Sequence, residues 1–285
     1  MTTPDQSLLA LLKKYNLRPR KGLGQNFLTD PTHLSKIVAA AELDPTDTVL
    51  EIGPGPGIMT RRLAEIAKRV IAVELDWQMV GLLRAEYGHQ ANLTIVEADI
   101  LKTEIGALLP GALPDRRHFK VVANLPYYIT SAVIRHLLEA DPQPARLVLM
   151  VQKEVAQRIV ARPGQMSLLA VSVQFYGRPS LVHTVPAGAF FPPPKVDSAV
   201  VRIDTFEQPP VAVTDINFFF RVVKAGFSQK RKQLKNSVSG GLAAPAAVIN
   251  AALNQANIDP TRRAESLSLP EWGRLVEMLT AETSG

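Results

Sequence analysis

The sequence predicts an α/β fold, a doubly wound and mostly parallel sheet joined to a small all-helical C-terminal domain. Three features predict it: short apolar runs alternating with segments of helical period, a glycine-rich turn after the first strong run, and a change of composition near residue 206. The runs at 49–52, 70–73, 93–96, 120–123 and 147–151 are continuous and apolar, as expected of strands buried on both faces of a parallel sheet. Between them, 60–67 and 131–139 carry helical periodicity, and 181–185 and 199–203 read as strands that close the sheet as an antiparallel hairpin. Such a sheet binds ligands at the carboxyl ends of its strands. Gln208-Pro209-Pro210 reads as a linker, so the expected domains are 1–206 and 207–285. In the second, helices are expected over 216–225, 230–238, 245–254 and 269–279, with Gly240-Gly241 and Asp259-Pro260 as breaks. Residues 7–14 read as a short amphipathic helix, and no internal repeat is present.

Composition narrows the function classes. A chain of 285 residues with 46% hydrophobic content suffices for a proper core. The absence of cysteine excludes disulfides and thiolate metal sites. The histidines, His33, His89, His118, His136 and His183, are scattered without ligand spacing, so no metal is expected. No run approaches membrane-spanning length, and no signal peptide is evident. The net charge of +6 says little by itself; its distribution says more. Between 216 and 258 no acidic residue occurs, while Lys224, Lys230, Arg231, Lys232 and Lys235 cluster there. A second patch holds Lys13, Lys14, Arg18, Arg20 and Lys21. A charge run is ordinarily a solvated helical face, but two basic patches flanking a catalytic domain fit a long polyanion better than a small ligand.

Glu51-Ile52-Gly53-Pro54-Gly55-Pro56-Gly57 leaves an apolar strand and enters a segment of helical period. Glycines at alternate positions let the backbone approach a ligand, and the helix that follows directs free amides at it. Glu74 ends the next apolar run, roughly twenty residues on, where an acidic side chain commonly holds ribose hydroxyls. The spacing is G-x-G-x-G and not the dinucleotide G-x-G-x-x-G, which matches an S-adenosylmethionine loop better. Asn124-Leu125-Pro126-Tyr127 ends a third run. Its amide oxygen and a neighbouring carbonyl can both accept from an exocyclic NH2 group. Pro126 stiffens the backbone, and Tyr127 offers a flat face to a base. Read locally, the same four residues make an ordinary turn.

Further segments join these two motifs in order: Gly24-Gln25-Asn26-Phe27-Leu28, Glu97-Ala98-Asp99, the run from Phe190-Phe191-Pro192-Pro193-Pro194-Lys195 to Val196-Asp197-Ser198, and Phe227-Ser228-Gln229-Lys230-Arg231-Lys232. Over nearly its whole length the chain resembles the KsgA (RsmA) family of ribosomal RNA adenine dimethyltransferases. The resemblance implies a Rossmann-like, class I S-adenosylmethionine-dependent methyltransferase sheet. It also implies that Asn26 and Leu28 cover the methionine end of S-adenosyl-L-methionine, Gly53 underlies it, Glu74 binds the ribose and Asp99 meets the adenine amine. Asn124 and the Leu125 carbonyl would hold the target amine, with Tyr127 and Phe190 stacking on its base; core packing is the plain alternative for Phe190. Lys230, Arg231, Lys232 and Lys235 would contact RNA.

The implied substrate is a pair of adjacent adenosines in a 3′-terminal hairpin loop of 16S rRNA, within the 30S subunit or its precursor, and the implied protein is a cytoplasmic monomer. Other readings are a large-subunit rRNA methyltransferase of the macrolide-resistance type, and an assembly checkpoint or transcription factor that keeps the fold without methylation. A DNA adenine methyltransferase fits less well, since no target-recognition domain is recognisable. Pro56, in a loop position where another residue is expected, and Pro193 depart from the family pattern.

Overall fold

The computed structural model describes residues 8–109 and 118–283; Ser7, the first residue of the expected N-terminal helix, lies outside them. The chain forms two compact units, Met1–Ala156 with Ser180–Thr205, and Gln157–Pro179 with Phe206–Gly285. Among the described residues no helix is long and apolar enough to cross a membrane.

The first unit opens with α1 (Leu8–Lys14), β1 (Phe27–Leu28) and α2 (Pro31–Ala41). β2 (Thr48–Ile52), β3 (Arg69–Glu74), β4 (Leu93–Glu97), β5 (Phe119–Asn124) and β6 (Arg146–Gln152) then alternate with α3 (Ile58–Ala64), α4 (Trp77–Tyr87), α5 (Ile105–Leu108) and α6 (Thr130–Leu138). After α7 (Lys153–Ile159) and α8 (Leu168–Tyr176) come β7 (Gly177–Val185), β8 (Phe190–Phe191) and β9 (Ser198–Thr205). The sheet order is β4-β3-β2-β5-β6-β9-β7, with β1 and β8 as a separate pair. β2 through β6 pair in parallel, and β9 runs antiparallel to β6.

The five parallel strands lie where the apolar runs predict them. The side chains of Val49, Leu50, Val121, Val122, Val148 and Leu149 are wholly buried, because helices cover both faces of a parallel sheet. β4 departs from the expectation: it is an edge strand whose residues are half-buried or exposed. The pair β7 and β9 does complete the sheet, although β9 inserts between β6 and β7. Capping begins the helices around the site. Asp30 accepts the Thr32 and His33 N–H groups ahead of Pro31, and Asp76 accepts that of Gln78 at the start of α4.

The second unit contains α9 (Ile216–Phe227), α10 (Leu234–Leu242), α11 (Ala246–Gln255) and α12 (Leu269–Thr283). It also takes in 157–179, which the sequence pattern leaves with the sheet domain. Ala170, Val171 and Phe175 are fully buried in one core with Phe219, Val222, Ile249 and Trp272, and the Phe175 and Phe219 rings lie 4.8 Å apart. A stretch contiguous with sheet strands carries no local sign of which core it joins.

Two further expectations need correction. The helix expected over 230–238 begins only at Leu234, so Lys230, Arg231 and Lys232 sit in the turn after α9. Gly240 and Gly241 do not break the chain but lie inside α10. A β-carbon at Gly241 would come within 2.6 Å of the Ala225 Cα and 2.5 Å of its Cβ, so the glycine permits close approach of α10 to α9. Gly241→Ala gains about 1 kcal/mol of helix propensity but forces the two backbones apart. We expect a net destabilisation of about 1–3 kcal/mol, measured by urea unfolding; a stabilised variant would contradict the packing.

Candidate active site

Four strand ends converge on one open cleft. Gly53 follows β2, Glu74 ends β3, Asp99 lies two residues beyond β4 and Asn124 ends β5; all four line the cleft. Gln25, Asn26 and Phe27 enter from the N-terminal segment, and Leu125, Pro126, Tyr127 and Tyr128 from the segment after β5.

Glu74 is 7% exposed, and both its oxygens are held by backbone: Oε2 accepts from Gly55 N–H at 3.0 Å and Oε1 from Asp76 N–H at 2.9 Å. Burial pushes its carboxyl above the ordinary value, opposed by these two N–H donors. Each oxygen keeps lone-pair capacity, as an acceptor of two hydroxyls requires. Gly55 has φ +55°, and a β-carbon there would strike the Phe27 ring at 2.7 Å, so only glycine brings the loop under that ring. Beside Gly53 the space is open: the nearest atom to a β-carbon would be the Asn124 carbonyl oxygen, 3.8 Å away. Bare backbone next to a buried carboxylate fits a nucleoside-bearing cofactor. Asp99 combines two roles, since it lines the cleft while accepting Leu101 N–H at 3.1 Å and facing Lys102 at 3.6 Å.

The amide nitrogen of Asn124 donates to the Asn26 carbonyl at 3.0 Å. Turned over, the amide would set its oxygen against that carbonyl, acceptor to acceptor, so its orientation follows from chemistry. Its Oδ1 is thereby left as the acceptor on offer. Pro126's carbonyl takes Ile129 N–H and the Thr130 hydroxyl, both at 3.2 Å, whereas no donor among the described residues reaches Leu125's carbonyl. The Tyr127 hydroxyl meets the buried Ser198 hydroxyl at 2.7 Å, which fixes the direction of the ring.

Other expected residues fall elsewhere. Leu28 lines an adjoining, smaller cavity behind the glycine loop and not the cleft itself. Phe190 is 4% exposed, packs in the core with Leu34, Ile37, Met150 and Val200 and does not line the cleft, which matches the plain core-packing alternative for it. Tyr128, 63% exposed, is the aromatic that the sequence reading omits. Lys230, Arg231 and Lys232 are exposed and Lys235 half-buried in the first turn of α10. Away from the cleft, Asp44, Asp47 and His118 come within metal-ligand reach of one another, but the Lys120 ammonium already pairs with Asp47 at 2.8 Å.

The profile of the family described as "Ribosomal RNA adenine dimethylase" matches residues 16–280. The chain belongs to that family. It is 48% identical over 282 residues to the ribosomal RNA small subunit methyltransferase A of Dehalococcoides mccartyi, covering 98% of this chain and 96% of the relative. The enzyme of that name from Moorella thermoacetica is 43% identical, with 98% of each chain covered. Among solved structures, a dimethyladenosine transferase from Plasmodium falciparum superposes with TM-score 0.76 at 27% identity, covering 90% of this chain and 98% of its own. The 23S rRNA methyltransferase ErmE superposes with TM-score 0.71 at 30% identity, covering 90% and 100%. The sheet is therefore that of a class I methyltransferase, and the protein is an rRNA adenine dimethyltransferase whose family implies an S-adenosylmethionine-type donor.

Glu51, two residues ahead of the first glycine, is wholly buried, and neither of its oxygens has a hydrogen-bond partner among the described residues. Burial raises its carboxyl from the ordinary 4.5 to about 8, against a lowering by the nearby Thr60 hydroxyl and with a further rise from Glu74. The folded chain thus keeps a proton that the unfolded chain sheds. The resulting contribution to stability is complete below pH 4.5 and is lost as pH rises toward about 8. Glu51→Gln removes this titration. Thermal melts should show the variant gaining on the wild type across that interval, and a constant difference would mean that Glu51 is ionised.

Proposed function

We propose that the protein transfers methyl groups from S-adenosylmethionine to the exocyclic amines of two adjacent adenosines in a 3′-terminal hairpin loop of small-subunit rRNA. The particle would be the 30S subunit or its precursor, and the protein would act as a cytoplasmic monomer. The Asn124–Asn26 hydrogen bond carries the reading, because it leaves Oδ1 as an acceptor beside the Leu125 carbonyl. Names of relatives at 48% and 43% identity favour the small-subunit substrate over the large-subunit one, which is the substrate in the name of a structure at 30%. They also favour an active enzyme over a checkpoint that has lost catalysis.

Glu74 would hold the ribose, Asp99 the adenine amine, and Gly53 and Asn26 the methionine end of the cofactor. When bound, that cofactor supplies an electrophilic methyl group on a sulfonium centre. The protein's own part begins with the target base. Leaving its stack costs a few kcal/mol, and stacking on Tyr127 offsets that by about 1–3 kcal/mol. Adenine's amine is a poor nucleophile because its lone pair is delocalised into the ring. Accepting both N–H groups at Oδ1 and the Leu125 carbonyl draws the nitrogen toward tetrahedral geometry and stabilises the charge that develops there. Orientation of this kind can contribute roughly 7–11 kcal/mol. The amine loses its proton after attack, so no dedicated base is required. One N–H remains for the second transfer, which needs room for the first methyl and no new chemistry.

Lys230, Arg231 and Lys232 precede α10 at its N-terminal end, where cations oppose the helix dipole and do not stabilise the helix. Free amides and side-chain cations gathered there suit backbone phosphates.

Incubation with labelled cofactor and undermethylated small subunits should place the label on two neighbouring adenosines. Asn124→Ala should abolish transfer while RNA binding persists; label on another base, or an active variant, would refute the assignment. Reversing Arg231 and Lys232 to Glu should weaken particle binding and flatten its log–log salt dependence by about two charges. Unchanged affinity would remove that turn from the RNA interface.

A further inference from the structure

The N-terminal segment that carries Asn26 is tied down by one buried side chain. Asp76 is 1% exposed, and capping α4 occupies it only with Gln78 N–H, at 3.1 Å from Oδ1. Two long-range donors also converge on its carboxylate. Arg20 Nη1 reaches Oδ1 at 3.1 Å, and Gln25 Nε2 reaches Oδ2 at 2.8 Å. Gln25 in turn accepts Arg20 N–H at 2.8 Å, so residues 20–25 are pinned at both ends against the start of α4. Helix capping requires neither contact.

The same residue is bonded to the cofactor end of the cleft. Asp76 N–H donates to Glu74 Oε1, and the other oxygen of Glu74 holds Gly55 N–H. One position beyond Gln25, the Asn26 carbonyl receives the Asn124 amide. A hydrogen-bonded path therefore runs from the glycine loop through Glu74, Asp76 and Gln25 to the backbone that orients Asn124.

We infer that Asp76 is a positioning residue: through Gln25 and Arg20 it sets the Asn26 carbonyl, and thereby fixes which atom Asn124 offers to the target amine. The inference rests on the proposed role of Asn124. It assigns Asp76, one of the most buried acids of the chain, a task in turnover beyond starting a helix.

The bond between Asp76 and Gln25 has a direction that can be reversed. In Asp76→Asn the strong N-cap is kept, but an amide nitrogen of Asn faces Gln25 Nε2, donor to donor. In Gln25→Glu two carboxylates meet. In the double variant the amide of Asn at 76 donates to the carboxylate of Glu at 25, whose second oxygen still accepts Arg20 N–H, and the charge of the pair is unchanged.

The test is steady-state methylation of undermethylated small subunits at saturating cofactor, with a melting curve for each variant. Each single variant should lose about 10–100-fold in kcat, the effect of misplacing a reacting group by about an ångström, and the double variant should recover to within about threefold of wild type, as coupled neighbours do. Asp76→Ser, which keeps the cap without the reach, should lose kcat with its melting temperature held near wild type. Single variants with undiminished kcat, or a double variant as poor as the product of the singles, would overturn the inference. A wild-type protein that methylates no adenine would instead refute the function on which it rests.

Discussion

A single hydrogen bond governs what the cleft can do. In Asn124 one N–H of the amide is engaged by the Asn26 carbonyl at 3.0 Å. That bond orients the amide, so Oδ1 is an acceptor held in one direction at the end of β5. Its neighbours obey the same logic: Pro126's carbonyl is taken up by the turn that starts α6, whereas no donor among the described residues takes up Leu125's carbonyl, the second acceptor of the proposed function. The sheet supplies the other half of the arrangement. Parallel strands bring their carboxyl ends to one side, so Gly53, Glu74, Asp99 and Asn124, scattered over some seventy residues of sequence, share one opening.

Rigidity at this opening has physical costs that the surrounding structure must offset. Glu51 is wholly buried, has no hydrogen-bond partner among the described residues, and its carboxyl is pushed up to about 8 by burial; Glu74 is nearly as buried but shares its oxygens between two backbone donors. Burial at these two positions has different outcomes because of those donors. Glu74 lines the cleft and can present lone pairs to a ligand, whereas Glu51 lies within β2 and does not line the cleft. Close packing of Phe27 on Gly55 completes the enclosure.

Much of this was legible in the sequence. Continuous apolar runs mark the parallel strands because burial on both faces leaves no position free to be polar, and the glycines and Glu74 stand at fixed distances from those runs. What was hidden depends on long-range contact. The edge position of β4 follows from strand order, which no local pattern encodes. Gly240-Gly241 reads as a break from propensity, yet Gly241 is inside a helix because Ala225 of another helix lies against it. Phe190 has the composition of a stacking residue and the surroundings of a core residue. Asp76 could be read as a helix cap, but its bonds to Arg20 and Gln25 span more than fifty positions, and capping does not announce them.

The orientation of Asn124 is tested most directly by a crystal structure of the protein with S-adenosylhomocysteine and an adenosine-bearing RNA hairpin. The account predicts Asn124 Oδ1 at about 2.7–3.2 Å from the exocyclic nitrogen, with Nδ2 still on the Asn26 carbonyl. An adenine bound with its amine out of reach of Oδ1, or an amide turned so that Nδ2 faces the base, would contradict it.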